Sequence, residues 1–119
     1  MIEIWCINKK KWIWSLKGHL KKYIYSIVKL NKKHLDSASD DDIIKIWDID
    51  SKNCVFTSKN FNQGVNNLIK IDNDTLLSRI QDVISTIDIN TLKSKGNFAI
   101  EGGVSYLVKF NKREILVFL

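Results

Sequence analysis

An all-β fold, built from short antiparallel strands, is what this 119-residue sequence predicts, and three observations carry the prediction. The apolar residues come in short runs rich in Ile, Val, Tyr and Trp, the composition of strands. Clusters of Asn, Asp, Lys and Gly separate the runs and favour turns. The pattern also repeats: residues 23–30, 64–71 and 103–110 align, with starts 41 and 39 residues apart. A period near 40 residues is that of one four-stranded propeller blade. The expected architecture is therefore a partial β-propeller of about three blades, with at most twelve strands and no helix.

With blade strands named a to d from the hub outward, the chain reads c-d, a-b-c-d, a-b-c-d, a-b. Residues 1–17 supply the first pair, with Ile4-Trp5-Cys6-Ile7-Asn8 in strand c and Trp12 to Leu16 in strand d. Residues 18–58 make the complete blade. Its strand a is 23–30, and Asn31-Lys32-Lys33 is a turn. Its strand b is 34–39, with Leu35, Ser37 and Ser39 on one face and Asp36 and Ala38 on the other. Asp40-Asp41-Asp42 is a second turn, because Asp bonds its own backbone. Strand c is the Ile-rich 43–48, and strand d is 54–58. Residues 59–98 form a degenerate blade, in which Thr75-Leu76-Leu77-Ser78 repeats strand b and Thr86-Ile87-Asp88-Ile89-Asn90 repeats strand c. Its strand d lies within 93–98. Residues 99–119 give strands a and b of a further blade, ending in Glu114-Ile115-Leu116-Val117.

Gly18-His19, then Leu35-Asp36-Ser37-Ala38-Ser39-Asp40-Asp41, then Trp47-Asp48, resembles the repeat of the WD-repeat β-propeller family. From Leu35 to Asp48 the match has no gap. By period the resemblance covers nearly the whole chain, but it is motif-specific only over residues 18–48. In the next repeat the position of His19 falls near Asn60 and Ile87 replaces the Trp, while Ser78, Asp82 and Asp88 survive. In the last repeat Val117 stands where Ser would be.

The resemblance implies a structural relay from Trp47 to Ser37 to His19 to Asp41. A buried indole N–H needs an acceptor, and such a network is useful only when every member is satisfied. The same residues would also suggest a His-Asp-Ser catalytic set. That reading is set aside, because the resemblance places them inside a blade and away from any cleft. No nucleophile elbow, phosphate loop or zinc-ligand spacing occurs elsewhere. Asp40 to Asp42 lacks the loop Gly and closing Glu of a calcium hand. No enzymatic activity, cofactor or metal is expected.

Trp5 occupies the place of Trp47, but its relay partners would lie upstream of Met1. Two accounts stay open. The chain is a piece of a longer propeller, cut inside a blade at both ends, or its terminal strand pairs complete a blade between two copies. Three blades are below the usual 4–8 of a ring. Val117 offers Trp5 no hydroxyl, which favours the first account. As a fragment, the chain would leave Val65, Leu68, Ile69, Val104, Leu107 and Val108 partly uncovered on terminal sheets without caps.

Members of this family bind partners mainly on the face formed by the d–a and b–c loops. By resemblance that face carries Tyr23, Tyr25 and Asp40 in the complete blade, and Gly64, Asn66 and Gln81 in the next. Two tyrosines beside a carboxylate suit a protein or peptide partner bearing Arg or Lys. The expected function is a non-enzymatic protein–protein scaffold, with self-association through open blade edges as a further outcome.

Net charge is +6, and residues 1–33 hold nine Lys against the single acid Glu3. Lys9-Lys10-Lys11, Lys32-Lys33 and Lys112-Arg113 fall in c–d and a–b turns, which the fold gathers on the end opposite the tyrosines. RNA or an anionic lipid surface is the alternative partner that such a patch would suit. Against it stands a general bias to Ile, Lys and Asn. No apolar run approaches the roughly 18 residues of a membrane span. No signal peptide opens the sequence. Cys6 and Cys54 lack metal-ligand spacing and read as reduced, packed thiols. A cytoplasmic setting is expected, with a nuclear one also open.

Overall fold

A computed structural model describes residues 1–19, 23–58, 67–91 and 93–119. The described residues hold twelve strands and no helix. They are β1 (Ile2–Cys6), β2 (Lys11–Leu16), β3 (Ile24–Lys29), β4 (His34–Ser39), β5 (Ile44–Asp48), β6 (Asn53–Thr57), β7 (Asn67–Lys70), β8 (Thr75–Ile80), β9 (Val83–Asp88), β10 (Ser94–Ala99), β11 (Tyr106–Lys109) and β12 (Ile115–Phe118). They form four antiparallel meanders: a two-stranded sheet β1-β2, four-stranded sheets β3-β4-β5-β6 and β7-β8-β9-β10, and a two-stranded sheet β11-β12. The fold is a partial β-propeller.

Local chemistry sets the turns. At each a–b turn the side chain of an Asn or Asp accepts backbone N–H groups two residues on: Asn31 from Lys33, Asp72 from Asp74, and Asn111 from Arg113. The tightest reversals put Lys10, Asp42, Lys52 and Gln81 at positive φ, between 52° and 64°. Lys10 and Lys52 hold the same place in successive c–d turns, so the repeat extends to the backbone conformation. Lys11, grouped with the first c–d turn by sequence, is the first residue of β2.

The half sheets are copies of the halves of a full one. In β1-β2, Ile4 opposes Trp14 and Trp5 opposes Trp12, with a bulge between. In β5-β6, Ile46 opposes Phe56 and Trp47 opposes Cys54, with the bulge at the same step. In β11-β12, Val108 opposes Leu116 and Leu107 opposes Val117. That is the register of Val28 with Asp36 and Ile27 with Ser37 in β3-β4. The strand pairs β1-β2 and β11-β12 thus repeat the pairing of β5-β6 and β3-β4 respectively.

Three apolar seams lie between neighbouring sheets. Ile2, Leu16 and Trp47 form the first, with Trp14, Ile24 and Leu35 packed on them. The second buries Leu30, Ala38, Ile44, Ile46, Leu68, Leu76 and Ile87 between the two complete sheets. The third buries Ile71, Leu77, Ile84, Val104 and Leu107 against the last strand pair. Burial of this kind stabilises by about 25 cal/mol per Å² of apolar surface.

The inner strands are also tied across sheets. Ser26 Oγ accepts the Leu68 N–H at 3.0 Å, and Asn67 Oδ1 accepts the Leu107 N–H at 3.1 Å. Two expectations fail here. Leu68, Val104 and Leu107 are buried, because each points into a seam rather than toward an open end. Of the residues expected to be uncovered, Val108 is exposed and Val65 lies outside the described residues. Cys54 is also exposed, on an outer strand, rather than packed; it and Cys6 are free thiols.

Candidate functional site

The first cluster of marked residues is built by four segments of one sheet. Strand b presents Ser37 and strand c presents Trp47, each on the face toward β1-β2. Gly18-His19 crosses above them, and Asp41 comes from the b–c turn. Trp47 Nε1–H donates to Ser37 Oγ at 2.8 Å. Ser37 Oγ is 2.6 Å from His19 Nε2, and His19 Nδ1 is 2.8 Å from Asp41 Oδ2. The partners assign the protons: with Nδ1 protonated, the Trp donates to Ser, the Ser to His, and the His to Asp. Every polar group in the row is then satisfied with a neutral imidazole. Burial, outweighing the Asp41 hydrogen bond, holds the His19 pKa below its ordinary 6.5 and favours that neutral form.

Packing closes around this row. The His19 and Trp47 rings are tilted by 58° with centroids 6.1 Å apart. A Cβ on Gly18 would stand 3.0 Å from Trp47 Cη2, so the chain reaches His19 over the indole only without a side chain there. The His19 side chain is 1% exposed and that of Asp41 3%. A nucleophile needs an accessible reacting atom, and Ser37 is fully buried. The arrangement links strand b, strand c, the b–c turn and the Gly18-His19 segment of one sheet through hydrogen bonds.

The next blade shows what the relay replaces. Ser78 sits where Ser37 does, is buried, and finds no hydrogen-bond partner among the described residues. Ile87 cannot donate to it. Asp82, in the place of Asp41, instead accepts the Val104 N–H at 2.9 Å and so anchors the start of the following strand pair. Arg79 assists by donating to the Val104 carbonyl at 2.7 Å. Nothing in the sequence marked Arg79 beforehand, because its role depends on a neighbour two strands away.

A second cluster lies at the end of the sheets carrying the b–c turns. Tyr25 Oη donates to Asp40 Oδ1 at 3.2 Å. Local desolvation and this carboxylate raise the Tyr25 pKa above 10.0, so the phenol stays a donor. Tyr23 is exposed beside it, and its carbonyl accepts both the Asp40 N–H and the Ser39 hydroxyl. Gln81 tips the equivalent turn of the next blade at φ 52°. Gly64 and Asn66 lie outside the described residues. An apolar cavity of about 310 Å³ opens elsewhere, between Leu30, Ile46, Phe56 and Ile89, and none of these tyrosines lines it.

The opposite end carries the lysines. Ile49 N–H donates to the Lys33 carbonyl and Ile89 N–H to the Asp74 carbonyl, which ties each a–b turn to the c–d turn beside it. Lys9, Lys10, Lys32, Lys33, Lys112 and Arg113 sit in such turns. They are interleaved with acids: Asp48 and Asp72 both have lowered pKa values, mainly from backbone N–H groups, with minor help from Lys33 and Lys95 respectively. No group of His, Cys, Asp and Glu fit to hold a metal ion occurs among the described residues. No helix there is long and apolar enough to cross a membrane.

No family model matches the chain. Over 69 residues it is 35% identical to the nuclear distribution protein PAC1 of Candida glabrata; the match covers 58% of this chain and 14% of that protein. Two solved structures share its shape. The computationally designed protein Ika8 matches 97% of this chain with a TM-score of 0.76 at 20% identity, over 36% of its own length. The computationally designed protein Ika4 matches 87% with a TM-score of 0.71 at 21% identity, over 63% of its own length. These two likenesses concern the fold alone.

Proposed function

We propose that this chain is a WD-repeat propeller segment acting as a non-enzymatic scaffold. A protein or peptide partner docks at the end carrying Tyr23, Tyr25 and Asp40. The observation that carries this reading is the Tyr25–Asp40 hydrogen bond beside the exposed Tyr23 ring. It presents a carboxylate near two exposed tyrosines, which suits an Arg or Lys side chain by charge pairing and ring stacking. Gln81, at the equivalent turn, extends the face onto the next blade, and Asn66 joins the proposal by its place in the repeat alone. The closed and buried row from Trp47 to Asp41 supports a structural rather than a catalytic role for His19 and Ser37.

The division of the chain into 1–17, 18–58, 59–98 and 99–119 belongs to the same proposal, as do its cytoplasmic or nuclear setting and the absence of activity. The partial identity with PAC1 supports the family and suggests seeking partners first among proteins of nuclear distribution. The interleaved acids count against an RNA- or lipid-binding role for the lysine end.

The test is a peptide library scanning Arg and Lys, captured on the immobilised 119-residue chain. Basic peptides should be enriched. The Tyr23→Ala/Tyr25→Ala variant, with an unchanged circular dichroism spectrum, should bind them at least about tenfold more weakly, the loss of roughly 1.4 kcal/mol. Full retention by a folded double variant would remove this face as the site.

A further inference from the structure

We propose that the cavity between the two complete sheets binds a small organic cation, a primary amine on a short apolar stem, whose head group pairs with the buried Asp36 carboxylate. The cavity lies wholly within the interior sheets, and none of its lining residues belongs to the Tyr23, Tyr25 and Asp40 face.

Position joins the carboxylate to the cavity. In β4 the side chains of residues 34, 36 and 38 share one face. Asp36 is opposite Ile46 on β5 and Val28 on β3. His34 and Ile46 both line the cavity, whose volume is about 310 Å³. Asp36 is thus the next residue inward from one wall and directly across from another. The remaining walls are apolar: Leu30, Val55 and Phe56 from the same sheet, and Ile89 from the next. His34 and Asn90 give the rim polar groups. Mostly apolar walls with a few polar groups, at this volume, describe a site for a small molecule.

Asp36 is the polar group that the sheets themselves leave unmet. It is fully buried, and neither oxygen finds a hydrogen-bond partner among the described residues. Lys70 is not its partner, because it crosses from β7 to donate to the Leu30 carbonyl. A solitary buried carboxyl is unfavourable for folding. Nor does the blade architecture require it. The same place in the next repeat is Leu77, which packs into the third apolar seam. A carboxylate where the repeat has leucine calls for a counter-ion that the described residues do not supply.

An ammonium head group supplies both the charge and the hydrogen-bond donors. Burial alone raises the Asp36 pKa, and a cation beside the carboxyl favours its ionised form. The carboxylate is closed off from solvent, so the head group reaches it as the half-buried His34 ring turns aside. The stem then lies on Ile46, Phe56 and Ile89. No acid lines the cavity itself, so a second positive charge on the ligand would go unpaired. The site therefore selects a monocation.

Isothermal titration of the 119-residue chain with phenethylamine, and with phenethyl alcohol as its uncharged counterpart, tests the site. The amine should bind one to one and at least about tenfold more tightly than the alcohol. Asp36→Asn keeps the side-chain shape, and Asp36→Leu installs the residue of the next repeat; both should stay folded and bring the amine down to the affinity of the alcohol. Val55→Trp, on the exposed wall, should weaken both compounds. Tyr23→Ala/Tyr25→Ala should leave amine binding unchanged, which separates this site from the peptide face. No binding of the amine at millimolar concentration, equal affinity for amine and alcohol, or an amine preference that survives both Asp36 variants would each overturn the proposal. So would amine binding that is untouched by Val55→Trp or lost in the tyrosine variant.

Discussion

Asp36 is the residue least at peace with its surroundings. It lies on β4 between Val28 and Ile46, on the face turned into the seam between the two complete sheets. It is fully buried, and neither carboxylate oxygen has a hydrogen-bond partner among the described residues. Burial raises its pKa well above 3.8, and the nearby Ser37 amide offsets this only in part. The sign follows. The unfolded carboxyl ionises near 3.8 while the folded one resists, so folding takes up a proton and stability falls as pH rises above about 4. Asp36→Ala should therefore stabilise by about 1–3 kcal/mol at pH 7, with the gain shrinking toward zero below pH 4. Paired urea titrations at pH 7 and pH 3.5 check this; equal midpoints at both would show the carboxyl to be harmless. His19 acts in the other direction, because its folded pKa lies below 6.5 and acidification below that value favours the unfolded chain. Comparing the variant with the parent at each pH cancels that common contribution.

One sheet is held by its polar row, and the prediction at this scale concerns the row as a unit. His19→Ala or Asp41→Ala should cost about 1–3 kcal/mol, because each leaves a buried donor or acceptor without its partner. An unchanged thermal midpoint in both variants would show that the row contributes nothing to stability. The strands themselves were legible in the sequence, since alternation in 34–39 and the Asn and Asp turns are local signals. What sequence did not reveal was which apolar residues would be covered. Leu68 and Leu107 were expected to be open, and they are buried because Ser26 and Asn67 draw neighbouring inner strands together. Those contacts join residues about 40 positions apart, beyond the reach of any periodicity. The orphaned Ser78 and the diverted Asp82 are likewise products of a repeat that kept some members of a network and lost others.

At the scale of the molecule, the chain is an arc of sheets 43 × 29 × 26 Å in extent, with half a blade at either end. Its two ends differ in kind: β1-β2 repeats the register of the outer pair of a complete sheet, and β11-β12 that of the inner pair. The contrast between Trp47 and Trp5 carries an optical consequence. Trp47 is 1% exposed in its seam, whereas Trp5 is 56% exposed. A neutral quencher such as acrylamide should therefore reach Trp5 and spare Trp47, so Trp5→Phe should lower the quenchable share of the emission and Trp47→Phe should raise it. Equal quenching of the two single variants would show that both indoles meet water alike. One residue type at one place in two repeats thus serves as a pair of optical gauges, one reading the inside of a seam and the other the solvent.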